Sequence, residues 1–148
     1  MTVLLVVFMI IRSILSDDTQ PLFGEMLQAQ ATLIELSDMA VDDGNSSGTR
    51  TNAASILSTT TTDYRELQQL HQDRYGFSVD SVDTIAIEEL EDTRENFDGV
   101  YNQLANDYLE ISIERLDYFA REEENPDALQ LIETARSNQQ TQLERIQQ

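Results

Sequence analysis

Cysteine and lysine are both absent from this 148-residue chain, and histidine occurs once, as His71. Without cysteine there are no disulfides, no thiol catalysis and no zinc–thiolate sites. Two prolines and five glycines beside 40% hydrophobic residues describe a folded chain rather than a disordered one. Its length suits a single domain with one sizeable core. The lack of lysine leaves nine basic residues, all arginine, against 28 acids and a net charge of −19. Such a chain repels phosphate backbones, so no nucleic-acid partner is expected. At low salt the carboxylates also repel one another and loosen the compact state. Molar salt shortens the Debye length to about 3 Å and removes most of that penalty. The balance predicts a high-salt habitat or a salt-accumulating cytoplasm.

Long apolar runs are nearly absent too. Val3 to Ile11 form one stretch of consecutive apolar residues. It is too short for a spanning helix, which needs about 20 residues, and matches the apolar part of a secretory signal. Residues 1–16 therefore read as a hydrophobic leader, a short helix that serves as export signal or membrane anchor. Residues 17–148 read as the folded domain.

From Pro21 the apolar positions recur at helical spacing. Leu22, Met26, Ala29, Leu33, Leu36 and Ala40 form a stripe widened by Phe23, Leu27 and Ile34. Asp42 to Gly48 read as a solvated loop; its Asn45-Ser46-Ser47 fits a glycosylation acceptor, and its acids miss the spacing of a calcium loop. A second helix is predicted from about Asn52 to Tyr75, with Ala53, Leu57, Thr60, Tyr64, Leu67 and His71 on one stripe and Gly76 as its cap. A short helix is expected over Ile85–Arg94. A long one starts at Phe97, with Tyr101, Leu104, Tyr108 and Ile111 inward and a slip before Leu116 and Phe119. Pro126 opens the last, whose apolar face carries Leu129, Ile132, Leu143 and Ile146 and whose middle, at Asn138 and Gln139, is wet. Four long amphipathic helices predict an all-α fold, an antiparallel four-helix bundle.

A bundle raises the question of a ferritin-like metal site, which needs inward glutamates and two Glu-x-x-His pairs. One histidine, with no glutamate three residues before it, rules out that arrangement. What remains for a hard cation is a carboxylate set of Glu35, Asp63 and Asp107, with His71 beside it. His71 itself reads first as a hydrogen-bonded core residue. No catalytic triad or phosphate loop is present, so no enzyme activity and no cofactor are expected. Tyr64 and Tyr108, each directly after an aspartate, read as core aromatics whose hydroxyls find partners near the bundle surface or across the core.

Those Asp-Tyr pairs belong to a wider pattern. Phe97-Asp98 with Tyr101, Thr62-Asp63-Tyr64, Asn106-Asp107-Tyr108, Asn125-Pro126-Asp127 and Gln142-Leu143 together resemble the ferritin-like helical family catalogued as domain of unknown function 4142. The chain departs from that family where it tends to carry Asp-His in the second and third helices and His-Leu in the last. The resemblance implies an exported bundle of the periplasm or cell envelope that lacks the family's histidines. The functional expectation is a non-enzymatic, envelope-associated acidic bundle acting through protein contacts or in stress protection. A protein partner or self-assembly, and membrane association through residues 1–16, go with it. The alternative is a degenerate cation binder using the carboxylate set.

Overall fold

A computed structural model describes residues 19–148. The hydrophobic leader lies outside these residues. Five helices fill the described part: α1 (Thr19–Asp43), α2 (Ser47–Tyr75), α3 (Thr84–Asp92), α4 (Phe97–Glu122) and α5 (Pro126–Ile146). No strand occurs among the described residues.

The helix boundaries follow from local chemistry. The loop between α1 and α2 is shorter than its composition suggests, because Ser46 caps α2 by accepting from the Thr49 amide at 3.1 Å. That bond lets Ser47 and Gly48, expected in the loop, join the helix. Gly44 is required at the turn, since a Cβ there would stand 2.6 Å from the Ala40 carbonyl oxygen. At the far end of α2, Gly76 takes φ +84° and donates its amide to the Gln72 carbonyl at 2.8 Å. Asn125 caps α5 through the Asp127 and Ala128 amides, with Pro126 in the first turn.

The four long helices form a ring in which α1 touches α2 and α4, and α5 touches the same two. Two apolar clusters fix the directions. One contains Leu33, Leu36, Ile56, Tyr101 and Leu109, with Leu143. The other contains Phe23, Leu27, Leu67, Leu116, Phe119 and Ile132. Along α1 and α5 the chain runs from the second cluster to the first; along α2 and α4 it runs the opposite way. Every neighbouring pair is therefore antiparallel, while α2 and α4 run the same way and need a long crossover, as in ferritin-like bundles. Residues 76–96 supply it, with α3 lying against α1 and α4.

Polar side chains pin this crossover. Gln68 binds both the Val79 carbonyl (2.9 Å) and the Val79 amide (3.3 Å). The Tyr64 hydroxyl donates to the same carbonyl at 2.9 Å. The Tyr108 hydroxyl donates to Asp83 Oδ2 at 2.6 Å, while Asp83 Oδ1 caps α3 at the Ile85 and Ala86 amides. Both tyrosines thus pack against the core and find their partners at its edge.

The long α4 helix differs from its sequence pattern. Its buried line is Tyr101, Ala105, Leu109, Ser112, Leu116 and Phe119, which keeps helical spacing without a slip. Ser112 is fully buried, whereas Ile111 is 40% exposed. A polar residue at an inward position had disguised a regular stripe.

A buried polar layer as candidate functional site

The two apolar clusters do not meet in a continuous core. Between them, each long helix turns a polar side chain inward. Gln30 comes from α1, Thr60 and Asp63 from α2, Ser112 from α4 and Gln139 from α5. All five are 0–2% exposed. In α1 the layer falls between Leu27 and Leu33, in α2 between Ile56 and Leu67, in α4 between Leu109 and Leu116, and in α5 between Ala135 and Leu143. The positions match in height because the four helices are antiparallel neighbours around one interior.

Hydrogen bonds tie the layer together in pairs. Gln30 Nε2 donates to Ser112 Oγ at 3.2 Å, joining α1 to α4. Asn138 Nδ2 donates to Asp63 Oδ1 at 2.9 Å, joining α5 to α2. One turn further on, Gln142 Nε2 reaches Thr59 Oγ1 at 3.3 Å across the same pair. These bonds leave Gln30 Oε1, Thr60 Oγ1, Asp63 Oδ2 and both amide atoms of Gln139 buried with no protein partner. An unsatisfied buried polar atom costs about 1–3 kcal/mol, so such a concentration calls for an explanation.

Asp63 sets the electrostatics of this layer. It is the one buried acid among the described residues. Burial raises its pKa from 3.8 to about 6, the Asn138 bond opposes the rise, and the nearby Glu66 charge adds to it. No arginine among the described residues makes an ion pair with it; the ion pairs of Arg74, Arg115 and Arg136 all go to other acids.

The other residues of the carboxylate set are scattered. Glu35 and Asp107 are exposed, so they do not face the interior with Asp63. The reason is angular: Glu35 sits one helical step from the buried Leu36, and Asp107 two steps from the buried Ala105 and Leu109, which turns each to solvent. His71 is fully buried in the second cluster. Its ring lies 5.2 Å from Phe23, 4.8 Å from Tyr75 and 5.0 Å from Phe77. Its Nδ1 is 2.9 Å from the Phe77 carbonyl oxygen, an acceptor, so Nδ1–H donates there, while Nε2 is buried without a partner. Among the described residues no three His, Asp or Glu side chains gather into a metal site. The structure does not bring the four residues of the sequence set together.

In the sequence the layer shows as the wet middle of the last helix at Asn138 and Gln139, as Thr60 on the stripe of α2 and as Asp63 among the candidate carboxylates. Gln30 and Ser112 gave no signal, because a buried glutamine or serine reads like a surface one.

No family model matches this chain, and neither does any curated protein. Among solved structures it is similar to "CopM in the Cu(I)-bound form", at 14% identity and a TM-score of 0.74, over 87% of this chain and 92% of that one. Likeness at that identity shows a shared helical-bundle fold.

Elsewhere, the motif residues carry architecture. Asp98, in the first turn of α4, accepts from the Asn45 and Ser46 amides at 2.7 and 2.9 Å and so holds the α1–α2 loop. Partial burial acts to raise its pKa, but these bonds outweigh that and leave it lowered. Phe97 is buried, and Tyr101 bonds Ser37 Oγ at 3.0 Å. Burial pushes the Tyr101 hydroxyl up to about 12.

Proposed function

We propose that this chain is a non-enzymatic acidic bundle of a salt-adapted cell, exported or held at the envelope, which acts through protein contacts. One observation carries this reading: every described acid except Asp63 is exposed or half-buried, forming a solvated carboxylate coat. Such a coat keeps a protein soluble and selective when salt screens ordinary electrostatics. Stress protection is a compatible role for the same surface. The apolar run before residue 17 and the resemblance to the exported bundles of domain of unknown function 4142 support the location. No described helix is long and apolar enough to cross a membrane.

The copper named for the similar structure does not carry over. Copper(I) suits thioether, thiolate and imidazole ligands. The described chain offers Met26, Met39 and His71, with Met39 against one apolar cluster and Met26 in the other. Met26 and His71 share the second cluster and Met39 lies against the first, so the three soft donors are not gathered at one place.

Cell fractionation with an antibody to the chain tests the location; recovery from the cytosol alone would refute it. For the salt adaptation, the melting temperature should climb steadily from about 0.1 to about 2 M KCl as screening relieves the net charge of −19. A flat or falling curve would contradict it.

A further inference from the structure

We propose that the buried polar layer is a binding site for a single alkali cation, sodium or potassium, held by Gln30 Oε1, Thr60 Oγ1, Asp63 Oδ2 and Gln139 Oε1. Nothing in the bundle's partner-binding role requires this ion, and the inference stands apart from that role.

The argument begins with the unpartnered atoms. Four buried oxygens without a hydrogen-bond donor lie between the two apolar clusters and come from α1, α2 and α5. Neighbouring helix axes in a packed bundle lie about 8–10 Å apart, so oxygens projecting inward at one height share one small space. The donors are one carboxylate, two amide carbonyls and one hydroxyl. Such hard oxygens suit hard cations, and carbonyl oxygens replace the water shell of an alkali ion in other proteins.

Charge decides among the hard cations. Asp63 brings one negative charge, and no arginine among the described residues pairs with it. One alkali ion neutralises the layer. Calcium takes about 6–8 oxygens and draws on several carboxylates, while magnesium keeps much of its water shell. A layer with a single acid provides for neither. Transition metals want imidazole or thiolate, and neither lies at this level. The layer's other unpartnered atom, Gln139 Nε2, would bond to a water completing the ion's shell. In a cell rich in salt, such an ion is the most abundant counter-charge available.

The rival is a layer filled by water alone. Melting temperatures in sodium, potassium, choline and tetramethylammonium chloride at one ionic strength and pH 8 separate the two, because screening is common to all four. At about ten times its dissociation constant, the bound ion should raise the midpoint by about 3–6 °C over the organic cations. Asp63→Asn and Thr60→Val should each abolish that ion-specific increment while keeping the general rise with salt. Sodium-23 NMR provides a second readout: the line should broaden with wild-type protein and sharpen when either variant replaces it. If Asp63→Asn fails to fold, Thr60→Val serves alone. Equal midpoints in all four chlorides, as a water-filled layer would give, overturn the proposal. An increment that survives in the variants overturns it as well.

Discussion

The two apolar clusters and the layer between them are built from the same four helices, yet they follow opposite rules. In the clusters, Phe23, Leu27, Leu36, Leu109 and Leu116 are fully buried and carry no polar group that needs a partner. Their stability comes from area removed from water and from close packing. In the layer, burial works against stability, because water is lost and only some of the hydrogen bonds are regained. The clusters hold the bundle together; the layer is retained in spite of its cost. Fold stability is thus a poor explanation for the layer, and ligand binding a better one.

The largest effect should come from making the clusters more like cavities. Leu116→Ala or Leu109→Ala should lower the unfolding free energy by about 2–5 kcal/mol, read by urea denaturation in molar KCl. In the layer the sign should reverse. With tetramethylammonium chloride as the salt, Gln139→Leu should be neutral or stabilise by about 1 kcal/mol, since it removes two orphaned polar atoms. A loss of several kcal/mol at Gln139 would erase the distinction between the regions.

Acidity sharpens the same contrast. Asp63 has a folded-state pKa of about 6 against 3.8 for a free aspartate. The native state therefore holds the extra proton, and its carboxyl favours folding below pH 4. That advantage disappears as pH rises through about 6. In tetramethylammonium chloride the wild type should lose stability between pH 4 and 7 relative to Asp63→Asn, reaching a deficit of about 1–2 kcal/mol at pH 8. This range is discounted for water near the half-buried Asn138. Parallel pH profiles for the two proteins would show that Asp63 titrates as a solvated acid.

The fold was readable where inward positions are apolar. The stripe through Met26, Leu33, Leu36 and Ala40 is the buried face of α1, and Gly76 caps α2. Reading failed where the interior turns polar. Ile111 looked like a core residue and lies 40% exposed, because the inward place belongs to Ser112. Leu57 was expected on the α2 stripe, but Ile56 takes the fully buried position beside Thr60 and Asp63. Of the carboxylate set, Asp63 alone faces the layer. One residue of register separates an inward carboxylate from a solvated one, and in a chain with 28 acids sequence spacing cannot tell them apart.

The crossover adds a third kind of region, held by a few named polar bonds. Tyr108→Phe removes the 2.6 Å bond to Asp83 but keeps the ring. The loss should be about 1 kcal/mol, with faster amide exchange at Ile85 and Ala86 as the α3 cap loosens. Uniform exchange across all five helices would mean that the crossover is secured by packing instead. The same bond is the main reason that Asp83 is held below the ordinary carboxylate range, so Tyr108→Phe should also bring its titration back up.

The surface should show the smallest effect. Arg115 pairs with Glu25 at 3.1 Å and with Glu114 at 3.2 Å, and both acids are well exposed. Exposed pairs of this kind contribute about 0.2–1 kcal/mol, and salt weakens them further. Arg115→Ala should therefore cost less than about 0.5 kcal/mol in molar KCl, while in dilute buffer the loss should grow, because the substitution removes one of only nine positive charges from a chain at −19. Chemical denaturation at both salt levels measures the difference. If the loss were as large in molar salt as in dilute buffer, the arginine would be working through the packing of its aliphatic stem, and the carboxylate coat could no longer be treated as a screened surface distinct from the buried layer.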